Sequence, residues 1–438
     1  MENKWEEKTL GNCADWHSGG TPSKSNGAYW SGSIPWVSAK DMKSFRLHDT
    51  EDHISLHAVG KGGKVVPAKT ILLLVRGMTL HNDVPICMTM REMAFNQDIK
   101  ALQPVSGVDG TFLAYWLLAH KPDLLASVDH AGHGTGRLVT ETLKGKPVRL
   151  PPLSEQRAIA SVLGMLDDKI ENNRILNHHL EQAARALFKS WFVDFDPVHA
   201  KLDGRQPFGL DPTAAALFPA NFQDSPLGPI PKGWEVVTIE EATSLIIDYR
   251  GRTPKKMGSD WSESGIPAVS AKNVKGGRLV RPEMFNFVSE ELFERWMQDK
   301  LAIGDILMTS EAPLGELYYL ALDARFCLSQ RVFALRANPT RCEATFLYYW
   351  LDSASCQTEI LNRGTGTTVE GIRQSELRKV AALLPPLSIQ KAAAKFLSDW
   401  TEQIHRNEEQ SRTLAALRDT LLPRLMSGEL SVADVAAK

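Results

Sequence analysis

LPPLSEQRAIASVLGMLDDKIENN, residues 150–173, opens with a phrase that the chain uses again: LPPLSIQ occupies 384–390, 234 residues further on. Outward from these two stretches the echo continues. TFLAYWL (111–117) returns as TFLYYWL (345–351), and IPWVSAKDM (34–42) returns as IPAVSAKNV (266–274). Weaker matches lie between them: Gly19-Gly20-Thr21-Pro22 against Gly251-Arg252-Thr253-Pro254, Gln97 against Gln330, and Gly134-Thr135-Gly136 against Gly364-Thr365-Gly366. Two copies at a period above 200 residues mean a duplicated domain, not a solenoid.

Each copy changes character at Leu-Pro-Pro-Leu-Ser. Proline ends a strand, Ser154 or Ser388 is placed to cap, and a long helical pattern follows. At the common offset Ile159, Leu163, Leu166, Ile170, Leu180 and Leu187 align with Ala393, Leu397, Trp400, Ile404, Leu414 and Leu421. The steps alternate between three and four, and Asn173 and Asn407 fill the gap in each series. That spacing predicts a coiled-coil seam with one polar layer. Either the two helices pair antiparallel between the globules, as a rod of roughly 55 Å at ~1.5 Å per residue, or each folds back on its own domain.

The expected layout is therefore a first globular domain over 1–150, a helix over 151–192, a proline-rich extended linker over 193–230, a second domain over 231–384 and a C-terminal helix over 385–430. Within the domains, short β-rich runs (Thr70–Val75, Val148–Leu150, Asp305–Met308, Val380–Leu384) alternate with Gly, Pro and polar residues. The fold class is mixed α/β with a pseudo-two-fold internal repeat.

Composition bounds what such a protein does. A net charge of −2 excludes a protein that coats DNA by bulk positive charge. It leaves room for basic residues gathered on one face. Five scattered cysteines form no C-x-x-C pair and no zinc spacing, which suits incidental thiols in a reducing compartment. The opening MENKWEEKTL has no secretory pattern and no apolar run is long enough to cross a bilayer, so a cytoplasmic protein without membrane contact is expected.

The stretches LPPLSEQRAIASVLGMLDDKIENN, LFKSWFVDFDPV and LLPRLMSGEL, in this order, resemble the conserved regions of the specificity subunits of type I restriction-modification enzymes. The resemblance covers nearly the whole chain. It implies two target recognition domains, each reading half of a split site in double-stranded DNA. It implies helices that set the spacing and bind two modification (methyltransferase) subunits, which restriction subunits can join. It also implies no chemistry and no cofactor on this chain, with S-adenosylmethionine and ATP belonging to the partners. The residues agree with that: there is no Asn-Pro-Pro-aromatic or Asp-Pro-Pro-Tyr run and no G-x-x-x-x-G-K-[ST] loop. Two rival readings stand beside it, a solitary methyltransferase or nuclease and a coiled-coil scaffold with two protein-binding domains.

DNA is read by donors and acceptors on base edges, while cations and amides on phosphates set the register. Where the copies differ, at 43–70 against 275–305 and 77–95 against 313–328, each domain can hold its own half-site, so an asymmetric target is expected. Candidate contacts are Lys24, Lys40, Lys43 and Arg76 in the first copy and Arg250, Arg252, Lys255, Lys256, Lys272 and Lys275 in the second. Arg250–Lys256, four cations in seven residues beside a turn, is hard to explain as packing. The glycine-rich loops add His133, Thr135 and Arg137, and Arg363, Thr365, Thr367 and Arg373, as DNA-facing groups or as parts of structural turns. Gln97 and Gln330 either bond an adenine bidentately or are satisfied within the fold.

Overall fold

The computed structural model describes residues 5–129, 134–366 and 370–436. The chain divides into two compact units, one made of the residues up to Asn172 together with those from Gln410, the other of Asn173–Glu409.

In the first unit the apolar runs become strands buried on both faces. Ile71–Leu74 lies between Ile99–Pro104 and Ile86–Thr89, and all four of its side chains are buried. Ala14–Ser18 and Arg46–Leu47 complete a five-stranded sheet. Ile34–Val37 centres a second sheet, pairing antiparallel with His53–Ile54 and parallel with Met93–Phe95. The helix Gly110–Ala119 is apolar on every side and sits inside this core, its N-terminus capped by Asp109.

The second unit repeats the design. Ile306–Ser310 lies between Val332–Ala337 and Leu314–Tyr319, and Thr243–Asp248 pairs with the outer side of Val332–Ala337. Ile266–Val269 pairs antiparallel with Asn286–Val288 and parallel with Cys327–Leu328. A two-stranded ribbon joins Glu6–Thr9 to Pro147–Leu150 in the first unit, and Glu235–Thr238 to Ala381–Leu384 in the second.

The repeated Leu-Pro-Pro-Leu-Ser-x-Gln phrase has a physical reason, and it is the glutamine. Gln156, 2 % exposed, accepts from the Asp109 N–H at 2.8 Å and donates to the carbonyls of Pro151 and Gly107 at 2.9 and 3.2 Å. Gln390 does the same with the Glu343 N–H and the carbonyls of Pro385 and Arg341. Each glutamine ties the start of a long helix to the start of the core helix beside it. The serines do not cap. The helices run Leu153–Phe192 and Leu387–Ser427, so Ser154 and Ser388 lie inside the first turn and are exposed.

The helices run antiparallel within each unit. In the first, Ile159 and Leu163 share a core with Leu422, Leu425 and Met426. In the second, Ala393 and Leu397 pack with Ala184, Phe188 and Phe192. There the Asn173 amide donates to the Asn407 carbonyl at 3.3 Å and the Asn177 amide to the Ile404 carbonyl at 3.1 Å. Leu166, Ile170, Leu180, Leu187, Trp400, Leu414 and Leu421 are only half-buried. The single polar layer expected at Asn173 and Asn407 is wider. Asn177, Thr401 and His405 are also buried in the second unit, and Asp167 in the first. A seam this polar gives less hydrophobic gain and more register specificity than an all-apolar one.

Residues 193–230 are not an extended linker. Pro197 and Pro212 stand in the first turns of short helices, Asp196–Leu202 and Pro212–Leu217, where proline costs no hydrogen bond. Val198, Ala215, Phe218 and Ile230 are buried in the second unit, with Phe218 edge-on to Trp191 at 5.4 Å. Prolines that argue against one long helix are compatible with several short ones.

Candidate nucleic-acid interface

The two glutamines singled out by the repeat sit on equivalent turns. In the first unit Gly19 presses against the turn that carries Gln97, and Gly20 presses against Gly62 while donating its N–H to the Phe95 carbonyl. A Cβ on Gly19 would meet the Asn96 carbonyl oxygen at 2.1 Å, so only glycine fits. This packing brings the Thr21 hydroxyl to Gln97, donating to Oε1 at 2.6 Å. Gln97 is exposed, as is Gln330, whose carbonyl accepts from the Ala271 N–H. Neither glutamine side chain is swallowed by a core.

The first glycine-rich loop returns into a short ribbon, in which Gly136 pairs with Gly77 and Arg137 with Arg76. Gly136 is tight against Leu80, 2.8 Å from where its Cβ would stand. Arg76 and Arg137 are therefore cross-strand neighbours, both exposed, and Asp129 stands opposite Arg137 on its other side. Thr135 is half-buried beside them. In the second unit Thr365 exchanges hydrogen bonds with Gly371 at 2.8 and 3.1 Å, closing the corresponding loop. His133 and Thr367 lie outside the described residues.

The basic cluster Arg250–Lys256 divides into two kinds of residue. Arg250 clamps Asp248 through Nε and Nη2, donates to the Ile372 carbonyl and stacks 4.0 Å over the Phe333 ring. Arg252 donates to the Trp296 carbonyl and stacks 4.3 Å over Tyr249. Packing accounts for both, contrary to the expectation from sequence. Lys255 is exposed, and Lys256 reaches back to the Gly251 carbonyl at 2.8 Å. Two other candidates are held by carboxylates. Lys40 pairs with Asp52 and Glu51, whose hydrogen bonds push its ammonium pKa up, and Arg363 pairs with Glu359 at 2.9 Å. Lys24, Lys43, Lys272, Lys275 and Arg373 are exposed.

Four candidates from separate parts of the sequence converge in the second unit. Arg250, Gln330, Thr365 and Arg373 line one polar cleft of about 420 Å³, and Gln330 and Lys272 line an adjoining one of about 450 Å³. Both clefts also contain Arg331, which sequence reasoning passed over. The signal was present one residue beyond the Gln97/Gln330 match, where the two copies carry opposite charges.

All five cysteines are buried, and burial pushes their thiol pKa values up, that of Cys327 to about 12. Among the described residues no group of three or more His, Cys, Asp or Glu side chains could hold a metal, and no helix is long and apolar enough to cross a membrane.

Comparison with known proteins gives one family. The type I restriction enzyme MjaIX specificity subunit of Methanocaldococcus jannaschii is 26% identical over 98% of this chain and 94% of its own. The HindI specificity subunit of Haemophilus influenzae is 24% identical over 67% of this chain and 71% of its own. The crystal structure of a type I restriction-modification S subunit from M. genitalium shares the fold, with a TM-score of 0.61 over 97% of this chain and 96% of that one at 16% identity. The family model for the type I restriction modification DNA specificity domain matches twice, over residues 2–182 and 231–414. Two matched domains and two long helices on one chain make this protein a member of the type I restriction-modification specificity family.

Proposed function

We propose that this chain is the DNA-specificity subunit of a type I restriction-modification enzyme, and that each unit reads one half of an asymmetric bipartite site. One observation carries the reading. The two units use the same strand pairings and the same glutamine-pinned helix starts, yet differ in the polar side chains that their turns expose. A shared frame with exchanged surface groups is what two readers of different half-sites require.

In this reading the chain binds and positions, and the chemistry belongs to two modification subunits, which restriction subunits can join. S-adenosylmethionine and ATP are then bound by those partners. Apolar side chains left exposed on the long helices favour subunit docking: Met165 and Leu417 in the first unit, Ile175, Leu176 and Phe396 in the second.

Single-molecule sequencing of methylated adenines in host DNA, with and without this gene, tests the function. A bipartite motif that disappears with the gene is expected. Methylation independent of the gene, or methyltransferase activity of the purified chain alone, would refute it.

A further inference from the structure

Both units build the same corner of main chain. In the first, Leu74 stands opposite Ile99 in the sheet. Immediately beyond, Val75 donates its N–H to the Asp98 carbonyl at 2.8 Å and accepts from the Leu138 N–H at 2.9 Å. In the second, Thr309 stands opposite Val332, and Ser310 donates to the Arg331 carbonyl at 2.8 Å and accepts from the Ile372 N–H at 2.9 Å. The hydrogen bonds make Val75 equivalent to Ser310, Arg76 to Glu311, Gln97 to Gln330 and Asp98 to Arg331. On one frame the charges are inverted.

In the second unit the inverted groups meet. Arg331 Nε lies 2.9 Å from Glu311 Oε1, and both side chains remain substantially exposed, 50 % and 38 %. The ion pair engages Nε and leaves the Nη1–Nη2 edge of the fork for another bidentate partner. Arg331 is held at φ +67°, a left-handed conformation that is costly for a non-glycine residue and that clusters at functional positions. It stands between the two polar clefts, with Gln330 beside it.

A second observation points the same way. The Ser310 hydroxyl, on a residue 1 % exposed in the wall of the first cleft, has no hydrogen-bond partner among the described residues. The first unit fills that position with the aliphatic Val75, so the fold has no need of a hydroxyl there.

We propose that Arg331, aligned by Glu311, is a specificity-determining residue of the second recognition domain and takes the O6/N7 edge of one guanine. Arginine is the side chain whose fork matches that edge. Asp98, at the equivalent place in the first domain, offers only acceptors and is suited to the N4 amino group of a cytosine. The two domains therefore demand opposite polarity from the base at this point. This assignment rests on the function proposed above.

The test uses the chain assembled with its modification subunits and reads the methylated motif. Arg331→Lys keeps the charge and stem but loses the fork, and Arg331→Asn suits the left-handed backbone. Both are expected to relax a single G·C position of the second half-site, lowering the preference there by roughly 5- to 150-fold, with the first half-site unchanged. A second half-site without any G·C pair overturns the assignment, as does an unaltered motif in both variants. So does uniform weakening over all sequences by Arg331→Asn that Arg331→Lys avoids, since that marks a phosphate contact. Absence of any bipartite motif from the wild-type complex strikes the proposed function itself; a wild-type motif indifferent to Arg331 strikes only this residue.

Discussion

Arg418 Nη1 lies 2.7 Å from Asp167 Oδ1, and the other oxygen of that carboxylate takes the hydroxyl of Tyr115. Asp167 is 7 % exposed, so its charge is tolerable only because two donors satisfy it. Burial, and then the neighbouring carboxylate, push the Tyr115 hydroxyl pKa up, which keeps it a protonated donor. Within the first unit this triad connects the core helix to both long helices.

Replacing Arg418 by Met leaves a buried carboxylate with one donor. Because about a quarter of the Arg418 side chain meets solvent, the loss is expected near ~2 kcal/mol, below the ~3–5 kcal/mol of a fully buried pair. Adding Asp167→Asn removes the orphaned charge while its amide oxygen still accepts the Tyr115 hydroxyl, and should restore at least half of that loss. Chemical denaturation of the chain and its two variants measures both steps. A double variant weaker than Arg418→Met would show that the triad contributes more than charge neutralisation.

The glutamine pins yield a contrast between neighbours. Gln156→Leu and Gln390→Leu each leave a backbone N–H and two carbonyls without their partner, an expected cost of roughly 2–4 kcal/mol at ~1 kcal/mol per bond. Ser154→Ala and Ser388→Ala, two residues earlier and exposed, should stay within about 0.5 kcal/mol. Thermal unfolding of the four variants checks this. Equal losses at serine and glutamine would restore the serine cap that the helix boundaries argue against.

The split within Arg250–Lys256 separates stability from binding. Arg250→Ala removes a carboxylate clamp and a stacked ring contact, and should cost about 1–3 kcal/mol in unfolding experiments. Lys255→Ala should leave stability unchanged. If Lys255 meets phosphate, its loss also weakens DNA binding by the assembled complex uniformly and makes the slope of log affinity against log salt shallower by about 1. An unaltered salt slope would return Lys255 to the solvated surface.

Much of the fold was legible because the chain states it twice. The duplication, the core helices and the strands at Ile71–Leu74 and Ile306–Ser310 all follow from matched apolar runs. The missed pin at Gln156 and the misread cations Arg250 and Arg252 share a cause: they needed partners distant in sequence. Gln156 looks like a polar residue in a first turn until the Asp109 N–H is placed 47 residues earlier. Arg250 and Arg252 read as free cations because Phe333, Ile372 and Trp296 are far along the chain. Pro197 and Pro212 read as linker because proline excludes one long helix but starts a short one just as well. Arg331 escaped for the opposite reason: a residue that differs between copies is silent in a search for what they share.

The long helices carry the last prediction. In the proposed function they set the distance between half-sites, so their length should be written in the spacer of the methylated motif. Removing one heptad from each helix keeps the phase of the seam, because seven residues complete one repeat. It shortens each helix by about 10 Å at ~1.5 Å per residue, or roughly three base pairs at ~3.4 Å per step. The deletions are best placed clear of Asn173, Asn177, Ile404 and Asn407, whose hydrogen bonds fix the register of the antiparallel pair in the second unit. Three base pairs also turn the second half-site by close to a third of a helical turn. The original motif should therefore be lost, and surviving methylation should move to a spacer about three base pairs shorter, with reduced efficiency. Motif sequencing of the double deletion, after confirming that it folds and binds its modification subunits, gives the answer. Recovery of the same motif with the original spacer would show that something other than helix length sets the distance.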